Sequence, residues 1–193
     1  MRLFVAVEIG EALATRAAKL SRELRRRADA TADRAKITWV PTERMHLTVR
    51  FIGEVDEGKA TAIGAALGAP VEVEPFNLTL CGAGTFPLRG TPRVIWVGVT
   101  DGREGLLAVE REVTSRLTPL GISEEERAYS PHLTLARVRE AAGLRAASLL
   151  DGLTDRRLGT VRIDAITLFQ SRLSPKGPSY IPLLRVPCES PSS

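Results

Sequence analysis

The sequence, 193 residues long, predicts an α+β fold built as two similar lobes, and three observations lead to it. Strand-like and helical segments follow one another without the regular alternation of a doubly wound parallel sheet. The two histidines of the chain, His46 and His132, open the same short frame, His46-Leu47-Thr48-Val49 and His132-Leu133-Thr134-Leu135. A long helical pattern precedes each frame at some distance. The first points to α+β, and an internal duplication would explain the other two, with each lobe giving one histidine to a shared cleft.

Leu3 to Val7 is a short apolar run stopped at Ile9-Gly10, the pattern of a buried strand. From Glu11 to about Ala30, Leu13, Ala17, Leu20 and Leu24 recur at helical spacing, with arginines on the other side. Arg25-Arg26-Arg27 is read as the close of that helix, where cations complement the dipole. Ile37 to Val40 is a brief strand ended by Pro41, which has no N–H to donate. Met45 to Gly53 is the strand bearing the first frame. Asp56, whose carboxylate can accept from a free helical N–H, starts a helix to Leu67.

Val71 to Leu80 alternates as a strand does, is interrupted at Pro75, and runs into Gly82-Ala83-Gly84, read as a turn. That tripeptide lacks the third glycine and the following helix of a dinucleotide-binding fingerprint. Arg93 to Val99 is an apolar strand carrying Trp96. Leu106, Val109, Val113 and Leu117 define a helix from Asp101 to about Leu120, stopped by Gly121. Ser130-Pro131 leads into the strand of the second frame, to about Val138, and Ala141 to Leu150 reads as a shorter helix. The last strands are Val161 to Leu168 and Tyr180 to Val186, joined by the turn-rich Ser174-Pro175-Lys176-Gly177-Pro178. Residues 1–187 are expected to form one domain, with 188–193 a flexible tail.

An apolar share of 44% and a charged share of 26% are those of a folded globular chain, long enough to bury a core without staples. The net charge is +4, and lysine contributes only Lys19, Lys36, Lys59 and Lys176. The arginine fork suits phosphate oxygens, although arginine and alanine richness fits a GC-rich genome equally well. Cys81 and Cys188 make no disulfide framework, which fits a reducing compartment. Met1-Arg2-Leu3-Phe4-Val5-Ala6-Val7-Glu8 is too short and too soon charged for a signal peptide. No stretch approaches the roughly 20 apolar residues of a membrane span. A cytoplasmic protein is expected.

In a strand, positions i and i+2 share a face, so each frame sets an imidazole beside a threonine hydroxyl and sends its apolar residues to the other side. Imidazole titrates near neutrality, so two of them can divide acid and base duties. Zinc takes three or four protein ligands, and neither His-x-x-x-His nor Cys-x-x-Cys spacing accompanies these two. No Gly-x-Ser-x-Gly elbow surrounds any serine. Phosphodiester cleavage by water uses what remains: one histidine takes a proton from water, the other gives one to the departing oxygen. Thr48 and Thr134 would hold the nonbridging oxygens.

The two frames resemble the paired His-x-Thr-x motifs of the 2H phosphoesterase superfamily. Met1 to Val7, Trp39-Val40-Pro41, His46 to Gly53, Pro92 to Val99, Pro131 to Arg137 and Ser171 to Tyr180 extend the resemblance over nearly the whole chain. The branch they resemble is the RNA 2′,3′-cyclic phosphodiesterase, or 2′-5′ RNA ligase, family. This implies a bilobal fold of two pseudo-symmetric lobes, each an antiparallel sheet with helices, around a central cleft. It implies a monomer that opens RNA 2′,3′-cyclic phosphate ends to 2′-phosphates, with 2′-5′ ligation as the reverse-type reaction and no metal or other cofactor. By the same resemblance His46 protonates the departing 3′ oxygen and His132 activates water.

Arg137 matches an arginine that follows the second family motif and is expected at the phosphate. Its odd spacing from His132 requires a bulge or the strand's end to turn it inward. Arg50 has the parity of His46 and Thr48 and is a candidate contact to base or RNA at the cleft's edge. Phe4, Trp39 and Tyr180 are candidates to stack on a base, with core packing the expected role of Phe4 and Trp96 and Tyr180 the more open. Two other functions compete: hydrolysis of another small cyclic phosphate, and a noncatalytic RNA-binding module on the same scaffold.

Overall fold

The computed structural model describes residues 1–125, 127–174 and 177–191. Its strands form two antiparallel sheets. In the first, the order is β3 (His46–Glu54), β1 (Arg2–Glu8), β8 (Ala165–Arg172) and β9 (Ser179–Pro187). In the second, it is β2 (Lys36–Trp39), β6 (His132–Glu140), β5 (Val94–Val99), β4 (Phe76–Phe86) and β7 (Arg157–Ile163). Each histidine strand is thus followed across its sheet by three others, and β2 is added beside β6. The chain from β1 through α1 (Gly10–Thr31) to β3 has its counterpart from β5 through α3 (Arg103–Leu117) to β6.

The two long helices cross over. The amphipathic α1 leaves β1 of the first sheet but lays Leu13, Ala17, Leu20 and Leu24 on the second, against β7 and β6. Arg16 of α1 donates to Leu158 O on β7 at 3.0 Å. In return, α3 leaves β5 of the second sheet and covers β3 of the first. The two sheets are tied by this exchange, and their interiors merge into one main core.

The run Leu3 to Val7 is apolar throughout because β1 is buried on both faces. Leu3, Val5 and Val7 join the main core, whereas Phe4 and Ala6 form a separate patch with Phe169, beneath Tyr180. That second patch becomes the floor of the site.

Several expected elements shift. Helix α1 continues past Arg25-Arg26-Arg27 to Thr31, and Arg27 instead donates to Leu149 O and Asp151 O. Gly82-Ala83-Gly84 is not a turn but the middle of β4, with a bulge at Gly82. A Cβ at Gly84 would stand 2.3 Å from the Trp96 indole, so this glycine makes room for that ring. The helix expected from Ala141 shortens to α4, Ala146–Leu150, because β6 runs on to Glu140. The apolar stretch through Leu168 divides at Asp164 into β7 and β8, which lie in different sheets.

Order also reaches beyond residue 187. Cys188 is buried and its N–H donates to Asp164 O, while Glu189 donates to Val71 O. Ser192 and Ser193 of the expected tail, and Pro175 and Lys176 of the expected turn, lie outside the described residues. Among the described residues, no helix is long and apolar enough to cross a membrane.

Candidate active site

The histidine strands β3 and β6 come from different sheets and pack against each other. Along each, exposure follows one pattern: imidazole and threonine half-buried, the intervening leucines and Val49 buried. This is the alternation the frames require.

The matching goes further than the motifs. On β3, Thr48 faces Ala6 and Arg50 faces Val5, so Val49 is an extra, bulged residue. On β6, Thr134 faces Trp96 and Ala136 faces Ile95, so Leu135 is bulged at the same place. A bulge reverses the parity of everything beyond it. Residues four after each histidine, Arg50 and Ala136, therefore turn inward and are buried, and residues five after, Phe51 and Arg137, turn to the cleft and are exposed.

The bulges decide where the two arginines point. Arg137 lines the cleft with Thr134, Thr48 and His46. Arg50 does not reach it, which corrects its assignment to a base or RNA contact at the cleft. It is 3% exposed, lies 3.6 Å from the Glu110 carboxylate on α3, and donates to Ser123 O.

His46 and His132 are oriented alike. Nδ1 of His46 lies 2.8 Å from Arg44 O, and Nδ1 of His132 lies 2.7 Å from Ser130 O. A carbonyl oxygen only accepts, so Nδ1 carries hydrogen in both rings and Nε2 is the nitrogen left to exchange a proton. Neither Nε2 has a protein partner among the described residues.

The surroundings of the two rings differ. His46 stacks on Phe4 with centroids 5.0 Å apart and meets the edge of Tyr180 at 5.2 Å. His132 meets Phe86 edge-on at 5.1 Å. Burial lowers the pKa of both imidazoles, partly offset by the backbone bond at Nδ1. The Arg137 guanidinium lowers both as well, so one cation acts on the two rings.

A recess of about 580 Å³ opens on the His46 side. Tyr180, half-buried, and Phe4, buried beneath His46, both line it. Trp39 packs on the main core and does not line it. His132, one same-face step along β6 from Thr134, stands outside the recess.

Phe51, Arg2 and Arg44 also line the recess and were not expected there. Phe51 is 43% exposed with the Arg2 guanidinium over its ring at 5.0 Å. Only the bulge places it, and a lone phenylalanine in a strand carries no signal of that. Arg44 gives its carbonyl to His46 and its guanidinium to Pro178 O at 2.7 Å, fastening the connection before Tyr180.

The model of the 2′-5′ RNA ligase superfamily matches residues 11–174. The RNA 2′,3′-cyclic phosphodiesterase of Aeropyrum pernix is 42% identical over 152 residues, covering 78% of this chain and 86% of the relative. That of Methanothermobacter thermautotrophicus is 32% identical, covering 93% and 95%. Among solved structures, TT0787 of Thermus thermophilus superposes with a TM-score of 0.76 at 27% identity, covering 98% of this chain and 99% of the other. E. coli LigT complexed with 3′-AMP superposes with a TM-score of 0.68 at 23% identity, covering 97% of each chain, a likeness of fold. The expected 2H phosphoesterase fold, two antiparallel sheets each presenting one motif, is the fold observed.

Proposed function

Because the chain belongs to the 2′-5′ RNA ligase superfamily, we propose that it is an RNA 2′,3′-cyclic phosphodiesterase opening the cyclic end to a 2′-phosphate without a metal ion. The observation that carries this reading is the matched pair of imidazoles, each with Nδ1 tied to a carbonyl and Nε2 without a protein partner among the described residues, both under the influence of the Arg137 guanidinium.

In the proposed reaction water attacks phosphorus, a new P–O bond forms, and the P–O3′ bond breaks. His132 Nε2 takes the proton of the attacking water, and protonated His46 Nε2 delivers one to O3′. Thr48 and Thr134 donate hydrogen bonds to the nonbridging oxygens, and Arg137 offsets the charge that builds there. The ring of the cyclic phosphate already holds its leaving group, so proton transfer at both ends suffices.

The shape of the cleft supports this division of roles. Attacking and leaving oxygens lie roughly in line on opposite sides of phosphorus. The leaving oxygen belongs to the ribose, so the histidine beside the space for the nucleoside is the acid. The recess is on the His46 side. Phe51, backed by Arg2, offers the terminal base an exposed aromatic face there. With an RNA 5′-hydroxyl in place of water, the same geometry would form a 2′-5′ linkage.

The test is incubation with an oligonucleotide ending in a 2′,3′-cyclic phosphate, with and without chelator. A 2′-phosphate end formed in both is expected. A 3′-phosphate product, no product, or loss on chelation would overturn the reading.

A further inference from the structure

The two halves of the site differ at the residue directly across the ladder from each histidine. Opposite His46 on β1 stands Glu8; opposite His132 on β5 stands Gly98. Directly opposed residues of an antiparallel pair share a face and lie within about 5.5 Å at Cβ. Glu8 is further held by Thr167, a 3% exposed residue of β8 whose hydroxyl donates to its Oε2 at 3.1 Å. Gly98 has no side chain to match it at the equivalent position. A Cβ at Gly98 would stand 3.1 Å from Cys81 O and 3.2 Å from the Trp96 ring.

We propose that Glu8 is a positioning residue that makes His46, and not His132, the proton donor of the site. The proposal rests on the cyclic phosphodiesterase reading above. A proton donor must be charged before the reaction and a base must be neutral. A carboxylate beside one imidazole and not the other biases that ring toward the charged state.

Among the described residues, the groups facing His46 are few. From β1 comes Glu8, from β6 Arg137, and from β9 the Tyr180 phenol, while β8 supplies the uncharged Phe169 and Thr167. The Arg44 guanidinium is engaged at Pro178 O. Arg137 opposes protonation of both histidines, whereas Glu8 favours protonation of His46 and, among the described residues, has no counterpart at His132. The asymmetry therefore resides in Glu8 alone among these charges.

The chain's two histidines make the test direct, because imidazole proton resonances give one titration curve for each. In Glu8→Gln the His46 curve should move to lower pH and the His132 curve should stay. The alkaline limb of the kcat/KM profile on a cyclic-ended oligonucleotide should move to lower pH with His46. Glu8→Asp should restore much of both shifts, and Thr167→Val, which frees the carboxylate from its anchor, should reproduce part of them. An unmoved His46 curve, equal movement of both curves, or a fixed alkaline limb despite a moved His46 would overturn the proposal. The titration needs no turnover. A wild-type protein that fails to open the cyclic end thus sinks the assigned reaction, and a silent His46 sinks the role of Glu8.

Discussion

His46 and His132 each point Nδ1 at the carbonyl oxygen two residues before it, at 2.8 and 2.7 Å. The bond is local, so it forms as soon as each frame is extended, and it orients the ring without help from the rest of the fold. What the fold adds is the meeting of the two frames, through the packing of β3 on β6.

Replacing either histidine by alanine should lower turnover of a cyclic-ended RNA by about 10² or more, the usual range for a general acid or base. The leaving group separates the roles. A nitrophenyl phosphodiester departs without a proton, so H46A should keep most of its rate on that substrate while H132A should not. Equal losses on both substrates would reverse or remove the assignment, and steady-state kinetics on the two substrates decides it.

The pH profile should be a bell displaced toward lower pH than free imidazole, since burial lowers both histidines. Arg137 depresses the same two groups, so Arg137→Gln should move both limbs to higher pH as well as lower kcat. The sign for stability is opposite to that of an ion-paired histidine. Each imidazole binds a proton more readily in the unfolded chain, so stability falls as pH drops from the unfolded value through the lower folded one. Urea unfolding across that window, in wild type and in H132N, would show whether the slope belongs to the site.

Arg50 belongs to the scaffold. Its 3% exposed guanidinium bridges β3 to Glu110 on α3 and to Ser123 O on the way to the second motif. Arg50→Ala leaves the Glu110 carboxylate only the Thr114 hydroxyl and should cost roughly 3 kcal/mol in chemical unfolding, with kcat of the folded fraction close to wild type. A large fall in kcat with unchanged stability would return Arg50 to the site.

The histidine frames were legible because a scarce residue repeats with its neighbours, and strand alternation then places imidazole and threonine together. The bulges at Val49 and Leu135 were not, because an extra residue leaves no mark in an apolar run. Arg50 was accordingly placed on the wrong face, while Arg137 was recognised as needing a bulge. Helical periodicity showed that α1 and α3 each bury a stripe, but a stripe does not name its partner, so the crossover between sheets stayed hidden. Gly82 and Gly84 resembled a turn. Their space is used by a bulge and by the Trp96 ring, both contributions of distant chain.

Phe51 is the aromatic face that the bulge turns into the recess, and if it carries the proposed base contact its removal should separate binding from chemistry. Its ring is 43% exposed on the recess wall with Arg2 stacked on it, apart from the histidines and threonines proposed to act on the phosphate. Base stacking on an aromatic contributes about 1–3 kcal/mol, equivalent to roughly five- to 150-fold in affinity. Phe51→Ala should therefore raise KM for a cyclic-ended oligonucleotide by about tenfold while leaving kcat near wild type. A Phe51→Trp variant should bind as well as wild type or better. If KM stays fixed and kcat falls instead, Phe51 orients β3 and contributes no surface to the base.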